Sequence, residues 1–143
     1  MARNGYTVDL DGLEALASRV RPKLITIGGS LRLFPDNVRE IRASDDTINA
    51  KVLFDAAHQC GMNTGRAWAN PLTKGAHLVT ISTYKSSGEP PSGLIVTNEL
   101  AIAEWLDQIA FPRMTINFDT AKLAVLVISM LDWRELGVAY AAK

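Results

Sequence analysis

The chain has 143 residues, 48% of them hydrophobic, and its fifteen basic side chains balance fifteen acidic ones. That length suits one domain, residues 1–143, with a sizeable core, and the balanced charge offers no nucleic-acid surface, polybasic membrane patch or acidic tail. A single cysteine, Cys60, rules out an internal disulfide and suits a reducing, cytoplasmic setting.

The opening "MARNGYTVDLDG" has no apolar core and does not read as a signal peptide. Asp11, with Glu14 three residues on, predicts the start of a helix over "LEALASRV", with Asp11 as its cap. Pro22 separates that helix from "KLITIGG", a β-rich run ending in glycines. "FPDNVREIRASDD" opens with a proline turn and continues at helical spacing through Val38, Ile41 and Ile48. "KVLFD" is the next strand, "AAHQCGMNTGRAW" a short helix or turn, and "HLVTIST" a third apolar strand. Strands alternating with helices predict a parallel sheet, and continuous rather than alternating apolarity predicts that both its faces are covered.

Only seven residues, "SSGEPPS", separate Lys85 from "GLIVTN", too few for a parallel crossover, so the fourth strand runs antiparallel. "ELAIAEWLDQIA" and a segment from about Asp119 to Ala141 are two closing helices. Within the last, "AKLAVLVISML" is too short an apolar run to span a bilayer. It reads either as a helix buried on most sides or as one that docks on a partner. The fold class is α/β, a mostly parallel sheet with one antiparallel strand and flanking helices.

Open α/β sheets bind ligands beyond the carboxyl ends of their strands. Those ends carry Gly28, Gly29 and Ser30, then Asp55 and His58, then Ser82, Thr83 and Lys85. A buried carboxylate needs a cation, so Lys85 either pairs with Asp55 or faces a shared ligand with it. An amine and an acid on one sheet edge suit pyridoxal phosphate: the amine forms a Schiff base, and the acid keeps the pyridine nitrogen protonated. His58 would lie against the ring, and Ser30 or Ser82 would bond a ring or phosphate oxygen. Each residue also has a plainer reading: Asp55 as a turn cap, Lys85 as a solvated lysine, His58 and His77 as structural histidines. Cys60, Trp68 and Trp105 read as packing. No metal site is predicted.

Spacing changes that balance. "LFDAAHQCGM", with Lys85 thirty residues after its Asp in "TISTYKSSGEPPSGLIVTN", resembles the cofactor region of the serine hydroxymethyltransferase family. "RPKLITIGGS" resembles the family strand whose hydroxyl residue stands twenty-five positions before the Asp. The resemblance runs from "GYTVDLDGLEAL" to "IAFPRM". It implies the second half of an aspartate-aminotransferase-like large domain, with Lys85 as Schiff-base lysine, Asp55 as pyridinium partner and His58 over the ring. Ser30 would approach the ring oxygen, and Ser82 would line the site.

The implied reaction moves a hydroxymethyl group between serine and glycine, or α-methylserine and alanine, with tetrahydrofolate as possible carrier. A small amino-acid substrate and a homodimer follow by the same analogy. Tyr84, where common members carry histidine, leans toward a divergent branch resembling α-methylserine hydroxymethyltransferases and aldolases. The family's phosphate cup, catalytic glutamate and carboxylate-gripping arginine have no counterpart in these residues. The resemblance therefore also admits a non-catalytic remnant or interaction module. An unrelated doubly wound binding domain is disfavoured, since "IGGS" lacks a third glycine or a Walker lysine. Asn49, Glu89 and Arg113 stand where the family has glycine; if the backbone keeps φ positive there, Asn49 tolerates it while Glu89 and Arg113 are strained. Glu89 would also put a negative charge near a phosphate.

Overall fold

The computed structural model describes residues 5–46, 48–117 and 119–143; part of the N-terminal stretch read above lies outside them. Helix α1 spans Leu10–Val20. Its cap is Asp9, not the expected Asp11: the Asp9 carboxylate accepts the Gly12 N–H at 3.1 Å. Asp11 falls in the first turn, where a negative charge still favours the helix dipole. Arg21 closes the helix at φ 50°, donating its N–H to the Ala17 carbonyl, and Pro22 prevents continuation.

Strand β1 is Leu24–Gly28, α2 is Val38–Asp46, β2 is Lys51–Asp55 and α3 is the short helix Cys60–Thr64. After a 3₁₀ turn at Leu72–Lys74 come β3, Leu78–Ser82, and β4, Gly93–Thr97. Helices α4, Leu100–Ile109, and α5, Thr120–Ala141, close the chain. The sheet order is β1-β2-β3-β4; the first three strands are parallel and β4 is antiparallel to β3, as the short connection requires. Ile48, expected on α2, falls beyond its end but still packs on the core.

One face of the sheet is covered. Ile25, Ile27, Val52, Phe54 and Val79 are buried in one cluster with Ala17 of α1 and Val38 and Ile41 of α2. The opposite face is open among the described residues, with Leu24 and Ile95 exposed, so burial alternates along β1 and the expectation of two covered faces fails. Apolar content shows that a strand can be covered on both sides; it does not supply the covering element.

Helix α5 is also not buried on most sides: Leu123, Val127, Ile128 and Val138 are at least half exposed. It meets the rest of the chain at a close crossing, where a Cβ on Gly65 would stand 2.5 Å from the Gly137 carbonyl. Trp105, read as packing, is 61% exposed on α4. His77 is structural as expected: buried, with Nδ1 accepting the Val52 N–H at 2.8 Å and the Arg42 guanidinium against its ring.

Candidate active site

Register brings the three parallel strand ends onto one rim. Gly28 stands beside Asp55, and Asp55 beside Thr80. The Asp55 carbonyl accepts the Gly29 N–H at 2.9 Å, and the Thr80 carbonyl accepts the Ala56 N–H at 2.9 Å. These bonds extend the ladder one residue past β2 and hold the Asp55 backbone on both sides. Gly28 is required there: it has φ +91°, and a Cβ would lie 2.4 Å from the Asp55 carbonyl oxygen.

Asp55 is half-buried, and its Oδ1 accepts the Ala57 N–H at 3.0 Å. The local cap that the plainer reading supposed is therefore present, and it leaves Oδ2 without a protein donor among the described residues. His58, three residues on, is exposed just before α3.

Lys85 follows β3 in a turn that opens with the Lys85 N–H on the Ser82 carbonyl at 3.3 Å. Its Nζ lies 3.1 Å from His58 Nε2. An ammonium donating to Nε2 leaves the ring proton on Nδ1. Lys85 and Asp55 form no ion pair, so of the two arrangements left open by the sequence, a direct pair is excluded. The rim brings an amine and an imidazole within hydrogen-bond reach, the arrangement in which a base can serve a nucleophile. Tyr84 projects beside it, exposed, with its ring centroid 6.0 Å from Nζ.

The two serines are less closely engaged. Ser30 is exposed and lines an open groove of ≈ 670 Å³ with Tyr6, Asp9 and Arg32. Ser82 is half-buried two residues beyond Thr80, the residue that stands directly beside Asp55. Thr80 was missed because a strand residue within an apolar run gives no sign of its lateral neighbour.

Also missed were the side chains that fix the loop after β1: Arg32 donates to the Gly28 carbonyl at 2.8 Å, and Gln59 Nε2 to the Gly29 carbonyl at 3.1 Å. Arg32 reaches Asp36 at 3.5 Å. Burial pushes the Asp36 carboxyl up, and Arg32 and a hydrogen bond with Gln59 oppose that only in part.

Of the three glycine replacements, Asn49 does take φ 58°, whereas Glu89 and Arg113 are not at positive φ and carry no such strain. The neighbouring Gly88 takes the left-handed conformation instead, at φ +64°. Glu89 lines a hollow with Trp133 and Arg134 of α5; burial raises its carboxyl pKa, opposed by a hydrogen bond from Ser87.

The residues fit the group expected of them: an amine and a carboxylate oxygen without a donor among the described residues share the rim, with imidazole beside the amine. A mixed four-stranded α/β sheet flanked by helices is consistent with the large domain of pyridoxal-phosphate enzymes. The sequence model of the family described as serine hydroxymethyltransferase matches residues 1–107, and the chain belongs to that family. It is 56% identical to an alpha-methylserine aldolase of Variovorax paradoxus over 97% of this chain and 32% of the relative. A second alpha-methylserine aldolase, from Ralstonia sp, is 53% identical over 96% of the chain and 32% of the relative. A serine hydroxymethyltransferase of Sulfolobus acidocaldarius is 39% identical over 99% of the chain and 33% of the relative. The chain thus spans about a third of the length of these relatives. No helix among the described residues is long and apolar enough to cross a membrane.

Proposed function

We propose that the chain forms the lysine-bearing part of a pyridoxal-phosphate enzyme that makes or breaks the Cα–Cβ bond of a small β-hydroxy amino acid, α-methylserine or serine. The observation that carries this reading is the 3.1 Å contact between Lys85 Nζ and His58 Nε2 on the rim that also holds Asp55. Pyridoxal phosphate, when bound, supplies an electron sink for the pair released at the substrate Cα. Lys85 would offer the amine that attaches it, His58 would take the amine proton, and Asp55 would keep the pyridine nitrogen protonated. Ser30 and Ser82 supply hydroxyls at the edges of the site. The greater similarity to alpha-methylserine aldolases favours α-methylserine as substrate, with tetrahydrofolate an optional acceptor of the one-carbon unit. The setting is cytoplasmic, which suits the single unpaired Cys60.

Mixing the purified chain with pyridoxal phosphate is expected to give a visible absorbance band that borohydride reduces to a stable adduct on Lys85. Lys85→Ala abolishes that adduct, and His58→Ala slows its formation by roughly ten- to a hundredfold. A wild-type chain that shows no band and no labelled Lys85 peptide rejects the reading. The alternative, a non-catalytic interaction module, draws on the exposed apolar surface of α5 and is then the reading that remains.

A further inference from the structure

The turn bearing Lys85 is held by a chain of hydrogen bonds that reaches as far as α5. Thr83 is fully buried, and its hydroxyl reaches the Pro90 and Ser92 carbonyls at 2.5 and 3.0 Å. The Thr83 carbonyl accepts the Glu89 N–H at 2.9 Å and the Ser87 hydroxyl at 2.7 Å. On the α3 side, the Ser86 hydroxyl accepts the Gly61 N–H at 3.0 Å, and Cys60 Sγ lies 3.2 Å from the same oxygen. The last link comes from α5: the Trp133 indole N–H donates to the Ser87 carbonyl at 2.7 Å. Trp133 stands 46 positions beyond Ser87 in the chain.

The indole is fixed on its other sides. Tyr140 meets it edge-on at 5.5 Å between ring centroids, and Gly137, one turn along α5, leaves space that a Cβ would close to 2.8 Å from the ring. A donor held this firmly defines where the Ser87 carbonyl sits. Ser87 is two residues from Lys85, and the Gly88 N–H returns to the Lys85 carbonyl at 3.0 Å. Displacement at Ser87 therefore passes to the Lys85 backbone through a turn that these hydrogen bonds close.

We propose that Trp133 is a positioning residue for Lys85, its indole N–H on the Ser87 carbonyl setting the amine within reach of His58. The inference rests on the cofactor reading of Lys85 given above. Trp133→Phe keeps an aromatic ring against Tyr140 and removes the donor. Trp133→His is smaller but keeps a ring N–H.

Three measurements are compared between wild type and variants. They are the rate of borohydride-trapped pyridoxal phosphate addition at Lys85, the pH dependence of that rate, and amide hydrogen exchange at Gly88 and Glu89. Trp133→Phe is expected to slow trapping about tenfold, shift its pH profile and speed exchange at both amides, as loss of one buried hydrogen bond allows. Trp133→His is expected to lose less on all three. The opposite order, with phenylalanine better than histidine, means that ring bulk alone matters and overturns the proposal, as does Phe behaving like wild type. If Trp133→Phe does not fold, Gly137→Ala, whose Cβ would stand 2.8 Å from the indole and push it off the Ser87 carbonyl, is expected to reproduce the slowed trapping and faster exchange; wild-type behaviour there overturns the proposal. A wild-type chain that forms no Lys85 adduct overturns the cofactor reading and the role of Trp133 with it. A wild-type adduct with unaffected variants overturns only the role of Trp133.

Discussion

At Gly28 the backbone crosses Asp55 so closely that no side chain fits. Gly28→Ala combines a contact of 2.4 Å with a left-handed φ of +91°, so it is expected to cost about 2–4 kcal/mol in urea unfolding. The same change tilts Asp55 and weakens cofactor trapping; unchanged stability would show that the β1 end relaxes freely. Asp36 gives a pH effect of known sign. Its side chain is 3% exposed, and Oδ2 has no hydrogen-bond partner among the described residues. Because burial raises its folded pKa above the ordinary value of 3.8, the native state holds the proton more tightly than the unfolded chain. This contribution to stability is present at acid pH and is lost as pH rises from about 3.8 through the folded value. Asp36→Asn is therefore expected to stabilise the chain at pH 7 and change little at about pH 3, measured by urea unfolding at both. Equal effects at the two values would contradict that account. Glu89, its carboxyl likewise raised by burial, acts in the same direction.

Helix α5 joins the sheet domain through very small contacts. Gly65 and Gly137 let α3 and α5 touch backbone to backbone, and a Cβ on Gly65 would come within 2.3 Å of the Ala141 Cβ. Gly65→Ala is expected to push α5 outward, at about 1–3 kcal/mol, while the strands stay intact. Trp133 emission should shift to the red at constant sheet circular dichroism; unaltered emission would mean that α5 is seated elsewhere. Elements of this kind were legible to different degrees. "KVLFD" emerged as β2 residue for residue, since β-branched and aromatic side chains between turn residues leave little choice. The α1 cap was misread by two positions because Asp9 and Asp11 are both good capping residues, and only the path of the preceding chain selects between them.

Across the whole molecule the imbalance is of apolar surface. One sheet face and much of α5 are uncovered among the described residues, and contiguous exposed apolar surface marks an interaction site. Light scattering is expected to give a concentration-dependent mass above 15.6 kDa, falling to that value when Val127 and Ile128 are both replaced by Lys. A monomer at every concentration would show that the exposed face is inert. The strands, their directions and the arrival of Asp55 and Lys85 at carboxyl ends could be read from the residues alone. Those features follow from local periodicity and from a seven-residue connection that permits only one direction. That Lys85 meets His58 and not Asp55, that one face of the sheet is covered and not two, and that Trp133 reaches back 46 residues to Ser87 emerged with the folded chain. Partners so far apart in the chain meet through the packing of whole elements, and side-chain type alone does not encode that geometry.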